Sequence, residues 1–188
     1  EGSEEEPSDE HDDGPCDPHY WLDAQNAIII AGTVRDTLIA RDPNHAAAYR
    51  DRASELIGKL ATLDVELKQQ LGAIEHPDII TFHDGFAYFA RAYGLNVRGT
   101  FEPFPGQEPS AKDIVALHEL VSVYTIRTLY REPQLSDSVI QAFVNDVDVS
   151  IATLDPLGGA DDRQSYIELM RSNARVLQET LNTNSDLR

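Results

Sequence analysis

Histidine and carboxylate side chains that could bind a metal ion occur in three short motifs of this sequence. His19 lies in an Asp-Pro-His-Tyr-Trp-Leu run, His83 opens a His-Asp-Gly-Phe run, and Asp155 lies in a Leu-Asp-Pro-Leu-Gly run. Neutral imidazole and carboxylate are good ligands for a borderline divalent ion, and a nitrogen-rich set favours zinc over manganese or calcium. We therefore predict metal capture as the chemistry of these residues.

Each of these residues also has a purely structural interpretation. His83 could end a strand whose next residue, Asp84, caps a helix. Asp155 stands before a proline, and Asp-Pro commonly starts a turn. The aromatic neighbours of His19 could simply anchor its loop. Glu132 is predicted to be a partner that orients a ligand rather than a ligand itself.

Two helices precede the region that is predicted to form a sheet. Apolar residues recur at three- and four-residue steps from Ala24, and Asp42 followed by Pro43 marks the end of this first helix. A second apolar seam continues to His76, which precedes Pro77. It predicts a helix of roughly thirty residues, about 45 Å long, that could link two lobes.

Short apolar runs alternate with helical patterns after this long helix. The four predicted strands are residues 79–82, 97–101, 125–130 and 149–154. The helices between and after them are predicted from Asp84 to a stop at Gly94, from a capping box at Ser110, from Ser136, and around Tyr166 to Leu181. Four such units predict an α/β fold, with a four-stranded parallel sheet covered by helices on both faces.

The strand assignments place three of the candidate residues at one edge of this sheet. His83, Glu132 and Asp155 each follow a predicted strand. Because the carboxyl ends of parallel strands meet at the same edge, we expect these side chains to converge there. His19 is expected in a loop before the first helix. The other histidines fit structural roles: His11, His45, His76 and His118.

The charge distribution limits the class of partner. The formal net charge is -18, and the first sixteen residues contain eight acidic side chains and no lysine or arginine. Such a segment is predicted to be disordered. The remainder is acidic too and has no basic stripe, which argues against a nucleic-acid partner. Cys16 is the only cysteine, so a thiolate zinc cluster within the chain is excluded.

The motifs together resemble a known family, the solute-binding proteins of zinc and manganese ABC importers, the ZnuA-like group. The resemblance runs from Asp17 to about Leu181. Besides the three motifs it rests on a long His-Asp-x-Phe-x-Tyr-Phe-Ala-Arg-x-Tyr-Gly-Leu run, on Glu-Pro-Ser at residues 108–110 and on Arg-Glu-Pro-Gln at residues 131–134. It implies zinc capture in the periplasm and delivery to an ABC-type membrane permease, with no enzymatic activity.

The resemblance also implies roles for single residues. His19, His83 and Asp155 match metal-ligand positions of the family. Manganese-type members resemble this chain but carry a glutamate where His83 stands, so the resemblance favours zinc and makes manganese the less expected metal.

The resemblance implies a division of the chain into four parts. Residues 1–16 are expected to be an acidic loop, 17–44 a remnant of an N-terminal lobe, 45–76 a connector helix, and 77–188 the C-terminal α/β lobe. Most of the family's N-terminal lobe, with one further ligand, is then missing. We expect it to be supplied by another chain or to be absent through truncation.

Two other functions remain open from the sequence. Three protein ligands and a water also describe a catalytic zinc site, so a metal-dependent hydrolase on an α/β scaffold is an alternative. Neither a His-Glu-x-x-His helix nor a Gly-x-Ser-x-Gly elbow supports it. The other alternative is a structural half-domain that binds a second chain through its unpaired first-lobe remnant.

Overall fold

Helices and parallel strands alternate in the structure, a computed structural model that describes residues 17–102, 109–133, 138–160 and 162–183. Its α-helices are α1 (Ala24–Arg41), α2 (Ala46–Leu71), α3 (Ala87–Tyr93), α4 (Ala111–Val123), α5 (Ser138–Val147) and α6 (Tyr166–Thr183). Its strands are β1 (Asp78–Thr81), β2 (Asn96–Thr100), β3 (Thr128–Arg131) and β4 (Ser150–Thr153). Short 3-10 turns precede α1 and α2, at Tyr20–Leu22 and Pro43–His45.

The strands form one parallel sheet in the order β2-β1-β3-β4. In the central pair, Ile80 of β1 lies opposite Leu129 of β3. At the next pair, Thr128 of β3 lies opposite Ser150 of β4. The predicted α/β class with a four-stranded parallel sheet is confirmed.

Two hydrophobic cores cover the two faces of this sheet. Neighbouring residues of a strand point to opposite faces, so Ile79 packs in one core and Ile80 in the other. The Ile79 core takes its helical side chains from α2, α3 and α6, including Leu63, Phe89 and Leu177. The Ile80 core takes them from α4 and α5, including Leu117 and Phe143. Helices cover both faces of the sheet. The ends of the strands are therefore the places where polar side chains can reach a ligand.

Two predicted helix boundaries are wrong. The long helix α2 ends at Leu71, not at His76, because the chain turns at Gly72. Ile74 remains buried from that turn, which explains why the apolar pattern continues past the end of the helix. Asp84 does not cap α3, which begins at Ala87 with Phe86 at its N-cap.

Other local predictions agree with the structure, except for the start of the third strand. Gly94 ends α3 in the left-handed conformation, with φ of 79°. Ser110 and Asp113 form the predicted capping box of α4. The third strand begins only at Thr128, because Thr125 adopts a left-handed φ of 53° in the turn after α4. The predicted acidic segment and the start predicted at Ser136 lie outside the described residues.

Helices α1 and α2 form a hairpin with an open apolar face. Ile30, Val34 and Leu38 of α1 line a groove of about 600 Å³ with Leu56 and Leu60 of α2. Only the second half of α2, beyond Leu60, is packed into a core. Within the described ranges, no helix has the length and apolarity needed to cross a membrane.

Candidate metal centre

The first candidate ligand, His83, lies just beyond the end of β1 and is 8% exposed. The hydroxyl of Thr81 donates to the His83 carbonyl oxygen at 2.9 Å, which fixes the backbone at this point. A Cβ at Gly85 would lie 2.7 Å from Cε1 and 2.8 Å from Nε2 of the imidazole. Gly85 therefore leaves the space that the His83 ring occupies.

A buried carboxylate orients the His83 ring. Nδ1 of His83 hydrogen-bonds Oε1 of Glu132, which follows β3 directly and is 3% exposed. The hydrogen bond to Glu132 is the main reason that the pKa of His83 is raised, while burial opposes the shift and the charges of Glu132, Asp84 and Asp17 add to it. With Nδ1 committed to the carboxylate, Nε2 is the nitrogen available for a metal. This contact supports the orienting role predicted for Glu132, which remains a prediction.

His19 has the same kind of partner. Its Nδ1 lies 2.7 Å from Oδ1 of Asp17, and its backbone N–H donates to the same oxygen at 2.9 Å. The second carboxylate oxygen of Asp17 is buried and makes no hydrogen bond with the described residues. Asp17 therefore directs Nε2 of His19 away from itself, as Glu132 does for His83.

Hydrogen bonds anchor the segment that carries His19. The Trp21 indole N–H donates to the Pro156 carbonyl oxygen at 2.9 Å. The Tyr166 hydroxyl donates to the Trp21 carbonyl oxygen at 2.8 Å, and the Ala24 N–H donates to the Tyr93 hydroxyl at 3.1 Å. These contacts join the loop before α1 to α3, to α6 and to the turn that follows β4.

The two imidazole rings lie close together, with their planes at 67° to each other. Nε2 of His19 lies 3.4 Å from Nε2 of His83, and the ring centroids are 5.1 Å apart. Two nitrogens bonded to one tetrahedral zinc at its usual bond length lie about 3.3 Å apart. Because both Nδ1 atoms face carboxylates, both Nε2 lone pairs point toward the gap. A proton or a metal cation between them removes their mutual repulsion.

Asp155 is held in the turn after β4 and is 2% exposed. Its Oδ1 accepts hydrogen bonds from the N–H groups of Leu157 and Gly158, each at 3.0 Å. Asn173 of α6 brackets its backbone, accepting from the Asp155 N–H at 2.9 Å and donating to its carbonyl oxygen at 2.8 Å. Oδ2 of Asp155 lies 3.2 Å from Nε of Arg163.

The structure thus brings together two of the three predicted ligands. His19 and His83 face each other, with Glu132 and Asp17 behind them, whereas the carboxylate of Asp155 contacts its own turn and Arg163. In the part of the chain that the structure describes, no three histidine, cysteine, aspartate or glutamate side chains converge closely enough to hold a metal ion. The three-ligand set remains a prediction.

Sequence reasoning missed several residues that build this centre. Asp17 precedes His19 by two residues, a spacing that allows a side-chain contact, and it could have been recognised. Gly85 and Asn173 act through contacts that only the fold creates. Arg163 lies eight residues after Asp155 in a loop, and nothing in its sequence context indicates that its side chain returns to that carboxylate.

A family model described as "ZnuA: Zinc-uptake complex component A periplasmic" matches residues 1–180 of this chain. The high-affinity zinc uptake system protein ZnuA of Brucella abortus (strain 2308) is 31% identical over 170 residues, which are 89% of this chain and 51% of that protein. The zinc-binding protein AdcA of Streptococcus pyogenes serotype M3 is 32% identical over 178 residues, which are 92% of this chain and 35% of that protein. The chain spans about half the length of the Brucella protein.

Solved structures agree with these sequence relatives. A crystal structure of ZnuA superposes with a TM-score of 0.80 at 26% identity, covering 88% of this chain and 60% of the other. A Zn(II)-bound variant of AdcAII from Streptococcus pneumoniae gives a TM-score of 0.78 at 30% identity, covering 88% and 61%. The resemblance that the motifs indicated is confirmed, and this chain belongs to the ZnuA family.

Proposed function

We propose that this chain binds one zinc ion through Nε2 of His19, Nε2 of His83 and the carboxylate of Asp155. The observation that carries the proposal is the 3.4 Å separation of the two Nε2 atoms, close to the spacing on a tetrahedral zinc. Glu132 and Asp17 hold the Nδ1 atoms, as carboxylates commonly do behind zinc-bound histidines. Asp155 joins when its Oδ2 exchanges Arg163 for the ion.

The ligand types support zinc over manganese. Two imidazoles and one carboxylate suit zinc, whereas manganese prefers sites dominated by oxygen. Relatives and structural neighbours named for zinc point the same way. A manganese-binding member of the same family is the alternative, and it requires tighter manganese than zinc binding at this centre.

We propose further that the chain acts in zinc uptake, capturing the ion in the periplasm and presenting it to an ABC-type membrane permease. The support is the family description and the names of the relatives, each of which is longer than this chain. Capture and release need no bond chemistry beyond ligand exchange.

The family favours solute binding over the hydrolase alternative. A hydrolase needs a water on the metal and a general base beside it. Near the imidazole pair, the described carboxylates of Glu132 and Asp17 are already bonded to Nδ1 atoms. Hydrolysis of an ester or peptide that depends on both zinc and His83 would support the enzyme instead.

The apolar face of the α1 and α2 hairpin supports a further contact. Val34, Leu38 and Leu56 are all more than 40% exposed there, and burying such side chains is favourable. We propose that this face packs against the part of the family fold that the match does not cover, whether in the same polypeptide or in another chain. If the chain is instead a structural half-domain that binds another chain through its first-lobe remnant, sedimentation will show association that rises with concentration and does not depend on zinc.

A chelator-competition titration tests the proposed site. We expect one tight zinc site per chain, with affinity reduced at least tenfold by His83→Ala and by His19→Ala, because each removes a ligand. A tenfold loss corresponds to about 1.4 kcal/mol of binding free energy.

His76→Ala is the matched control, because it removes an exposed histidine that lies outside the centre. Its zinc affinity should equal that of the unchanged chain. Weak, multiple binding that ignores the His19 and His83 substitutions would overturn the proposal.

A further inference from the structure

Arg163 is the cation closest to the proposed carboxylate ligand among the contacts that the structure describes. Its Nε lies 3.2 Å from Oδ2 of Asp155, a carboxylate that is 2% exposed. The other oxygen, Oδ1, is occupied by the backbone N–H groups of Leu157 and Gly158. The oxygen best placed to leave the turn for a metal is therefore the one that faces the guanidinium.

The loop after β4 is shaped to return Arg163 to Asp155. The Gly159 N–H donates to the Arg163 carbonyl oxygen at 2.9 Å, and the backbone N–H of Arg163 donates to the Ala160 carbonyl oxygen at 2.9 Å. Gly158 has a left-handed φ of 77°, and a Cβ there would lie 2.8 Å from the Arg163 carbonyl oxygen. A side chain at position 158 would push this backbone away. The ion pair is thus part of the fold of the turn.

The ion pair is close but poorly aligned. Nε of Arg163 is buried, yet its N–H makes no hydrogen bond with the described residues, since the 3.2 Å contact lacks hydrogen-bond geometry. A buried donor without an acceptor carries a desolvation cost, and a well-aligned charged hydrogen bond would be stronger. The guanidinium therefore neutralises Asp155 without binding it as tightly as a bidentate pair would.

We propose that Arg163 competes with zinc for Asp155 and so sets how tightly the centre holds its ion. The inference rests on the proposed role of Asp155 as a ligand. Zinc bonded to Oδ2 and a guanidinium at the same oxygen repel each other, so binding must displace Arg163. When zinc leaves, the guanidinium returns and again offsets the charge of the buried carboxylate. Arg163 is a positioning residue that favours release.

Substitution of Arg163 separates this competition from a purely structural role. Arg163→Met removes the charge at similar volume, and Arg163→Lys keeps the charge as the matched control. In a chelator-competition titration with zinc alone, we expect Arg163→Met to tighten binding at least threefold and Arg163→Lys to stay within twofold of the unchanged chain. Arg163→Gln replaces Arg163→Met if that variant does not fold.

The same titration in an Asp155→Asn background identifies the route of the effect. Asp155→Asn alone should weaken zinc binding about tenfold or more, the scale of a lost charged ligand. Adding Arg163→Met to Asp155→Asn should then leave zinc affinity unchanged, because the carboxylate for which Arg163 competes has been removed. Thermal unfolding gives an independent readout. Without zinc, the midpoint temperature of Arg163→Met should be lower than that of the unchanged chain. Adding zinc should then raise the midpoint of Arg163→Met by more than it raises that of the unchanged chain.

The outcomes distinguish this inference from the proposed function. Unchanged or weaker binding in Arg163→Met, or tightening that persists in the Asp155→Asn background, overturns the competition. Unchanged binding in Asp155→Asn overturns the role of Asp155 as a ligand, and with it the basis of this inference. Loss of binding in His83→Ala would still support zinc capture by the imidazole pair in that case.

Discussion

In the proposed zinc centre, each of the three proposed ligands already has its second nitrogen or oxygen committed to another partner. His19 and His83 each give Nδ1 to a carboxylate, and Asp155 gives Oδ1 to its own turn. All three candidates could be proposed from the sequence, because imidazole and carboxylate are side chains that commonly bind divalent metal ions. Their partners were harder to predict. Glu132 was found from its place after a strand, whereas Arg163 depends on how a loop closes.

Glu132→Gln should weaken zinc binding about tenfold to a hundredfold, as is typical when the partner of a metal-bound histidine is replaced. Glutamine can still contact Nδ1, but it lacks the negative charge that makes Nε2 a better donor to the metal. Chelator competition measures the change. Glu75→Gln is the control, since Glu75 is exposed in the turn after α2. Equal affinity in both variants would show that Glu132 does not act on the metal.

Zinc affinity should fall as the pH is lowered, and the fall should begin above pH 6.5, the ordinary pKa of histidine. The pKa of His83 is raised, chiefly by its hydrogen bond to Glu132, so protons compete with zinc at higher pH than for a free imidazole. Zinc titrations from pH 5.5 to 8.5 measure this. A zinc affinity that begins to fall only at or below pH 6.5 would contradict the raised pKa.

The contribution of His83 to the stability of the zinc-free chain should fall as the pH rises, which is opposite to the pH dependence of zinc affinity. A raised folded-state pKa means that the His83 contribution to stability is fully present below about pH 6.5 and is lost as the pH rises through the folded value. Chemical unfolding of the unchanged chain and of His83→Ala isolates that contribution as their difference. A difference that grows between pH 6.5 and 8.5 would contradict the assignment.

At the scale of elements, sequence periodicity predicted which segments are helices and strands better than where they end. The strands were found because short β-branched and aromatic runs alternate with helical patterns. The errors at Gly72, Asp84 and Thr125 share one kind of location. Each lies at a turn next to a helix end, where boundaries are hardest to predict, and after α2 the buried Ile74 continues the apolar pattern past the end of the helix.

Two glycine substitutions should change stability in opposite directions. Gly94→Ala should destabilise the chain by about 1 kcal/mol, because the left-handed φ of 79° at the end of α3 is strained for alanine. Gly58→Ala should stabilise it by up to about 1 kcal/mol, since Gly58 lies inside α2 with no atom within 4 Å of an added Cβ. Urea unfolding compares them. The same sign for both would contradict the account of α3.

At the scale of the whole molecule, the sequence predicted one α/β layer arrangement and a long helix leading into it. Both are observed, since alternating strands and helices with short connections leave few topologies open. The sequence raised an unpaired first-lobe remnant only as an alternative, and it could not show which side chains form the open apolar face of α1 and α2. Its residues have the same spacing as a buried seam, and only the fold shows that Val34, Leu38 and Leu56 are more than 40% exposed.

Deletion of residues 1–15 should leave the thermal midpoint within about 2 °C of the unchanged chain, because this acidic stretch lacks the apolar side chains needed to join a core. The tight zinc site should also remain, with only weak additional binding lost. Calorimetry and chelator competition test the two parts. A large drop in the midpoint, or loss of the tight site, would show that the segment contributes to the fold or to the centre.

The most direct test of the central claim is a crystal structure of the zinc-loaded chain with diffraction data collected on both sides of the zinc absorption edge. We predict one anomalous peak between His19 and His83, about 2.0 to 2.1 Å from each Nε2, with an oxygen of Asp155 as a third ligand. A peak elsewhere, or zinc bound to only one of the two imidazoles, would contradict the assignment of this centre.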